Sequence, residues 1–332
     1  MTNSNVSLDD KYSIESGRIF VTGVQALARI PMVQRQRDVL EGLNTAGFIS
    51  GYRGSPVGGF DQQLWRAKKF LEQNHIRFQP GLNEDLAASA IWGSQQTNLH
   101  EGGKYDGVFA IWYGKGPGVD RCGDVFKHGN MSGPAKHGGV LLIAGDDHAA
   151  KSSTVPHQSE YAFMDASIPV LNPAGLQDIV DYGILGFAMS RFSGCWVAFK
   201  TTAENMDSSA SIDVSPDRVK ISLPKFDMPE GGLSIRWPDD WIEQEHRLHQ
   251  YKLNAVRAFA RQNKIDKTII NSQDPKLGVV TTGKSYLDVR QALEDLGINE
   301  AKADKIGLRL YKVGMPWPLE PQGIDEFSQG LK

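Results

Sequence analysis

The feature that most constrains the fold of this chain is a series of short apolar segments separated by stretches with helical periodicity. Three of these segments are VFAIWY (108–113), VLLIAG (140–145) and CWVAFKT (195–201), and polar or glycine-rich loops follow the first two. Continuous apolar segments of this length are typical of strands that are covered on both faces of a parallel sheet. The pattern over residues 18–205 therefore predicts an α/β fold with a parallel sheet between helices.

Helical segments separate the predicted strands. Apolar residues recur at helical spacing from Phe60 to Leu71, and a helix rich in small residues follows Asn83, which is available as its N-cap. We expect another helix before the second strand, with Gly47 as its C-cap. Parallel sheets of this kind bind ligands at the carboxyl ends of their strands, so the loops that follow the strands are candidate ligand sites.

The periodicity divides the chain into four predicted segments. Residues 1–16 are expected to be a loose N-terminal arm, and residues 17–210 form the main α/β domain. Residues 211–270 are a proline-rich connector followed by an amphipathic helix. Residues 271–332 begin a second α/β domain with two strands, which predicts that the chain is a fragment of a longer polypeptide.

Composition excludes several functional classes. The net charge of −3 gives no support to non-specific nucleic-acid binding, and no apolar run approaches the roughly 20 residues that span a bilayer. The N-terminus lacks the pattern of a secretory signal. Cys122 and Cys195 are far apart and form no Cys-x-x-Cys, so the chain carries no iron–sulfur or structural zinc motif. A cytoplasmic location is the default expectation.

Glu84 is the sharpest single candidate for chemistry. It follows a predicted strand and stands in the first turn of a helix, where the helix dipole stabilises a carboxylate. It can therefore serve as a helix-capping residue. The alternative is a partly buried acid that binds a cofactor nitrogen and shifts its proton. The residues alone leave both interpretations open.

Three loops at predicted strand ends could hold a ligand. In GYRGSPVGG (51–59) the glycines are compatible with a tight turn as well as with a binding loop. In YGKGPGVD (113–120) Gly116 and Gly118 would let backbone amides approach a ligand, but the loop has neither the phosphate-binding nor the dinucleotide motif. No serine lies in the G-x-S-x-G pattern of a serine hydrolase.

The third loop, GDDHAAKSSTVPHQSE (145–160), is crowded with polar side chains. Those that could ligate a metal, together with nearby histidines, are Asp146, Asp147, His148, His157, Glu160, His128 and His137. Their spacings match no known zinc pattern, so we predict no metal site in this chain.

The loops in their order resemble one family. GFISGYRGSPVGGFD, FQPGLNEDLAASAIWGSQ, GVFAIWYGKGPGVDRCGD and VLLIAGDDHAAKSSTVPHQSEYAF are similar to segments in the N-terminal part of the fused indolepyruvate ferredoxin oxidoreductases. These are thiamine-diphosphate-dependent 2-oxoacid:ferredoxin oxidoreductases. The resemblance implies that residues 17–210 bind the aminopyrimidine of thiamine diphosphate, and that the segment from 271 starts a domain like the C-terminal domain of transketolase.

The resemblance also implies residue roles. Glu84 matches the glutamate that bonds the pyrimidine nitrogen and activates the cofactor. Gly54, Gly116 and Gly118 would then bind cofactor. The residues implied on the substrate side are Ser55, Arg53, Asp146 and His148. Arg53 stands where the family often has proline; it could pair with the substrate carboxylate, or it could face solvent or a partner domain.

The implied reaction is oxidative decarboxylation of an aryl or branched 2-oxoacid to an acyl-CoA, with electrons passed through an iron–sulfur cluster to ferredoxin. The family's Gly-Asp-Gly motif, which holds the diphosphate and Mg²⁺, does not occur in this sequence. The resemblance therefore implies that further domains of the same enzyme complete the site, in a homodimer with coenzyme A as co-substrate. Two alternatives stay open: a pyruvate or 2-oxoglutarate enzyme of the same class, or a non-catalytic α/β scaffold.

Overall fold

The computed structural model describes residues 6–147 and 155–331. Its strands are β1 (Arg18–Thr22), β2 (Ala46–Gly51), β3 (Ile76–Phe78), β4 (Val108–Lys115), β5 (Val140–Asp146), β6 (Val170–Leu171), β7 (Val197–Thr202), β8 (Ser209–Asp213), β9 (Lys267–Ile270), β10 (Leu277–Thr282) and β11 (Leu308–Val313). Its helices are α1 (Asp10–Ser13), α2 (Gly23–Leu40), α3 (Phe60–Arg66), α4 (Lys68–Gln73), α5 (Glu84–Gln95), α6 (Gly116–Arg121), α7 (Gly123–Ser132), α8 (Glu160–Asp165), α9 (Leu176–Ser193), α10 (Ala203–Met206), α11 (Trp241–Arg247), α12 (Leu253–Gln262), α13 (Gly283–Asp295), α14 (Glu300–Ile306) and α15 (Pro321–Ser328). One turn of π-helix, Leu248–Lys252, joins α11 to α12.

The main sheet has six strands in the order β3-β2-β4-β5-β7-β6, and every neighbouring pair is parallel. The predicted α/β fold with a parallel sheet between helices is confirmed. Successive residues of a strand point to opposite faces, so the two faces have separate cores. In β4, Phe109 and Ile111 pack with residues of α2 and α9, whereas Ala110 and Trp112 pack with residues of α5 and α7.

The first strand lies outside this sheet, where the sequence predicts it inside. β1 pairs with β8 in a separate two-stranded antiparallel sheet. Its side chains alternate, because Ile19 and Val21 are buried while Phe20 is 69% exposed. That alternation is typical of an antiparallel strand with one face in water, and it distinguishes β1 from the continuously apolar central strands.

The second half of the N-terminal arm is packed, so the prediction of a loose arm is wrong for this part. Tyr12 in α1 is buried, and its hydroxyl donates to Gln63 Oε1 at 2.9 Å. The fully buried guanidinium of Arg29 donates to the carbonyl oxygens of Tyr12 at 2.5 Å and Ile14 at 2.8 Å. Burial lowers the pKa of Arg29 to about 10. The carbonyl oxygens of the arm thus provide hydrogen-bond acceptors for the buried Arg29 of α2, and these bonds hold the arm against that helix.

The helix before β2 ends earlier than predicted. α2 stops at Leu40, and Gly42 takes the positive φ of 78° that ends the helical path. Gly47, predicted as the C-cap, lies inside β2. A Cβ there would be 2.6 Å from the Phe109 ring, so this glycine allows close packing within the sheet.

A second, smaller sheet follows the connector. Its order is β10-β11-β9, with β10 parallel and β9 antiparallel to β11, so it has one strand more than predicted. It docks on the edge strand β6, where Val170 bridges to Trp317 and the backbone N–H of Asn172 donates to the Gly314 carbonyl at 2.8 Å. None of the helices in the two described stretches is long and apolar enough to cross a membrane.

Candidate functional site

The order of the strands predicts a crevice at the carboxyl ends of β2 and β4. From β2 the chain moves outward to β3, and from β3 it crosses back to the other side of β2 to form β4. The loops that leave two adjacent strands in opposite directions leave a gap between them, which is where open α/β sheets hold ligands. The loop after β2 and helix α6 after β4 border this gap.

Glu84 stands beside the crevice as the first residue of α5. Its side chain is buried, with the whole residue 7% exposed. The Trp112 indole donates to the Glu84 carbonyl at 2.9 Å and fixes the backbone there. The N-cap position belongs to Asn83, whose Oδ1 accepts from the Leu86 amide at 2.8 Å. Because Asn83 caps the helix, the Glu84 carboxylate is available for another role.

Glycine makes room for the Glu84 side chain. A Cβ added at Gly118 in α6 would lie 2.5 Å from Glu84 Cγ and 2.8 Å from Glu84 Oε1. A Cβ at Gly114 would lie 3.5 Å from the same Cγ. The position of Gly118, predicted to bind cofactor, therefore decides where the carboxylate can lie.

If Glu84 takes part in catalysis, we expect Gly118→Ala to lower turnover by roughly 10²-fold, because a displacement of about 1 Å at a reacting group has that effect. Gly123→Ala is the matched control, since a Cβ at Gly123 in the adjacent α7 meets nothing within 4 Å. Steady-state kinetics of both variants give the comparison. Equal, near-normal rates would show that the contact with Glu84 does not matter.

Arg121 is a charged group at this site that the sequence analysis does not single out. Its Nη1 is 3.9 Å from Glu84 Oε2, and its side chain is 60% exposed. Gly118 and Arg121 are three residues apart in α6, so they share one face of the helix. That spacing is the signal in the sequence that could have identified Arg121.

The loop after β2 holds three of the predicted site residues: Gly54 for the cofactor, and Arg53 and Ser55 for the substrate. Gly54 packs against the end of β4, because a Cβ there would be 2.8 Å from Lys115 Cδ. Ser55 is half-buried and Arg53 is exposed. The structure thus brings these residues to the same edge of the sheet as Glu84, and Arg53 is exposed at the surface of the protein.

In the third loop (145–160), the structure places Asp146 differently from the prediction that it contacts substrate. Asp146 is fully buried, and its carboxylate accepts from the Ser159 amide at 3.0 Å and from the Ser159 hydroxyl at 2.5 Å. Lys200 Nζ lies 3.5 Å away, and burial raises the pKa of Asp146. This geometry favours a structural role over the predicted contact with substrate. His148 lies outside the described residues.

Gly116 packs against another side chain of this loop. A Cβ at Gly116 would be 2.2 Å from the imidazole of His157, whose Nε2 is 2.8 Å from Asp120 Oδ2. His157 is one of the histidines considered above for a metal. Within residues 6–147 and 155–331, no group of three or more His, Cys, Asp and Glu side chains is placed to hold a metal ion.

Comparisons with known proteins agree with this architecture. The sequence pattern of the family described as "Indolepyruvate oxidoreductase domain" matches residues 267–332. The chain is 26% identical over 95% of its length to the indolepyruvate oxidoreductase subunit IorA of Pyrococcus abyssi, and 24% identical over 96% of its length to IorA of Methanothermobacter thermautotrophicus. It spans 44% and 46% of these relatives.

A solved structure has the same fold. It is a 2-oxoglutarate:ferredoxin oxidoreductase from Magnetococcus marinus with 2-oxoglutarate, coenzyme A and succinyl-CoA bound. The TM-score is 0.66 at 15% identity, over 95% of this chain and 57% of that one. Together these likenesses confirm the predicted resemblance to the indolepyruvate ferredoxin oxidoreductases.

Proposed function

We propose that this chain, which resembles the indolepyruvate ferredoxin oxidoreductases over most of its length, holds the aminopyrimidine half of a thiamine diphosphate site. The enzyme of which it is part would oxidatively decarboxylate an aryl or branched 2-oxoacid to an acyl-CoA and pass electrons to ferredoxin. The observation that carries the proposal is Glu84: a buried carboxylate packed against Gly118 of α6, on a helix that Asn83 already caps.

The residues present fit the aminopyrimidine. A ring nitrogen needs a desolvated carboxyl as its partner, and the Glu84 side chain is only 9% exposed. Gly118 leaves the carboxylate the space that a Cβ would fill. Glu84 would bond the ring nitrogen and hold a proton there, which favours the imino form of the ring. When bound, thiamine diphosphate supplies the carbon nucleophile that attacks the 2-oxo carbon.

Two guanidinium groups are candidates for the substrate carboxylate. Arg53 lies in the loop after β2 with Ser55, and Arg121 lies on α6 beside Glu84. Either offers the planar fork that suits a carboxylate. Ser55 would donate a hydroxyl on the same side. We do not include Asp146, because its carboxylate is buried and engaged by Ser159.

The rest of the reaction requires groups that this sequence lacks. Its two cysteines form no cluster motif, and no Gly-Asp-Gly is present to hold Mg²⁺ and the diphosphate. The iron–sulfur cluster, coenzyme A and ferredoxin would therefore meet other domains, within a homodimer in the cytoplasm. Under this proposal residues 17–210 are the pyrimidine domain, 211–270 the connector and 271–332 the start of the next domain, with residues 1–16 as the N-terminal segment.

The test is binding by the chain alone. Isothermal titration of the purified 332-residue chain with thiamine diphosphate and Mg²⁺ should show weak binding or none, and no 2-oxoacid should be turned over. Adding the domains that carry the Gly-Asp-Gly motif should restore both. Robust decarboxylation by the 332-residue chain would contradict the proposal.

A further inference from the structure

Helix α6 is held between two side chains from opposite sides. On one side Gly118 lies against Glu84. On the other side the His157 imidazole lies against Gly116, where a Cβ would be 2.2 Å from the ring, and His157 Nε2 is 2.8 Å from Asp120 Oδ2. Both ends of this short helix are therefore in contact with the same imidazole, and its middle is in contact with the candidate catalytic acid.

The imidazole itself has a rigid support. His157 is only 20% exposed, and its Nδ1 is buried and faces Asp146 Oδ1 at 3.9 Å. Asp146 ends β5 and is fixed by Ser159 and by Lys200 of β7. Lys200 also pairs with Glu160 at the start of α8. The His157 ring thus lies against the carboxyl end of β5, which Lys200 links to β7, and its contacts with α6 can hold that helix at a fixed distance from these strands.

We propose that His157 is a positioning residue for Glu84, acting through α6. This inference rests on the proposed function of Glu84. The hydrogen bond from His157 to Asp120 and the close contact with Gly116 hold α6 in place, so that Gly118 fixes the carboxylate and Arg121 stays within 3.9 Å of it. Without the imidazole, α6 would move away from the strand ends, and the Glu84 carboxylate would lose its packing contact with Gly118.

The first test is hydrogen exchange in the 332-residue chain, which needs no cofactor. His157→Leu puts an apolar side chain of similar bulk in place of the imidazole and removes the hydrogen bond to Asp120. We expect the amides of residues 119–122 to exchange at least roughly tenfold faster, as loss of one hydrogen bond to a charged group predicts for a local opening. His157→Gln retains a donor near the position of Nε2 and should restore most of the protection. His246→Ala, on an exposed face of α11, is the control and should change nothing in α6.

The second test is kinetic, in the assembled enzyme. His157→Leu should lower kcat by roughly 10²-fold because the proton step is impaired, and KM for the 2-oxoacid should rise as well if Arg121 of α6 binds the substrate carboxylate. His157→Gln should recover most of kcat. A residue with a merely structural role would instead lower the stability of the whole chain, speed exchange in distant strands, and show no such rescue.

The outcomes separate this inference from the proposed function. If Glu84→Gln abolishes activity while His157→Leu leaves both kcat and α6 protection unchanged, the role of His157 is wrong and that of Glu84 stands. If Glu84→Gln leaves activity unchanged, the proposed function fails first. If His157→Leu prevents folding, His157→Gln and Asp120→Ala decide: faster α6 exchange in Asp120→Ala with normal exchange in His157→Gln supports the inference, and normal exchange in Asp120→Ala overturns it.

Discussion

Under the proposed function, replacing Glu84 by glutamine is expected to lower kcat for 2-oxoacid oxidation by roughly 10²–10⁴-fold, the usual contribution of a general acid–base group. The amide has the same shape but cannot accept or release the proton at the ring nitrogen. The free energy of unfolding of the Glu84→Gln chain should change by less than about 1 kcal/mol, because α5 keeps its Asn83 cap and loses only a charge in its first turn. The measurements are kcat in the assembled enzyme at saturating 2-oxoacid and urea unfolding of the 332-residue chain.

Asp85→Asn is the matched control for this prediction. Asp85 is the next residue in the same helical turn and loses the same charge, but it is half-buried, and the three atoms nearest to a Cβ at Gly118 all belong to Glu84. If the acids act only on the helix dipole, both variants should lose about 0.3–1 kcal/mol of stability and keep full activity. A fully active Glu84→Gln enzyme would leave the scaffold interpretation, whereas loss of activity in that variant alone supports a role in the cofactor site.

The central strands could be predicted from the sequence because burial on both faces leaves a direct signal. VFAIWY, VLLIAG and CWVAFKT correspond to β4, β5 and β7, three neighbours in the sheet. Their order, and hence the crevice between β2 and β4, depends on crossovers that no local pattern encodes. The alternation in RIFVT (18–22) was a visible sign that β1 is half-exposed and antiparallel. Its partner β8 lies far along the chain, so the pairing itself was not predictable.

At the site, sequence position showed which residues reach the strand ends but not how deeply each is buried. Glu84 follows β3 and Asp146 ends β5, so by sequence position both carboxylates could contact a ligand. In the structure, Asp146 is enclosed by Ser159 and Lys200, while the Glu84 side chain occupies space that a Cβ at Gly118 would fill. The contact between Glu84 and Gly118 joins two helices, α5 and α6, at positions 34 residues apart in the sequence, so only the folded chain reveals it.

A buried ion pair between Asp38 and Arg191, at the opposite end of the sheet from Glu84, is expected to have a large effect on the free energy of unfolding. The fully buried carboxylate of Asp38 in α2 accepts from Arg191 of α9 at 2.6 and 2.9 Å, and from Thr45 at 2.6 Å and Gln34 at 2.8 Å. Arg191 also donates to two carbonyl oxygens before β5. We expect Arg191→Met to lower the free energy of unfolding by about 3–5 kcal/mol, because it leaves a buried charge without its partner. Urea unfolding of the chain measures this.

Arg218→Met provides the matched comparison, because Arg218 and Asp181 form the same kind of pair with Nε 3.1 Å from Oδ1. Their side chains are 39% and 21% exposed, against 15% and 1% for Arg191 and Asp38. Water can replace the lost guanidinium at Asp181, so this variant should lose only about 0–1 kcal/mol. Equal losses would show that burial of Asp38 is not what makes the Arg191 pair matter. A large loss at Arg191 alone would establish that the buried ion pair adds to the apolar packing between α2 and α9, on the face of the sheet opposite to the helix that carries Glu84.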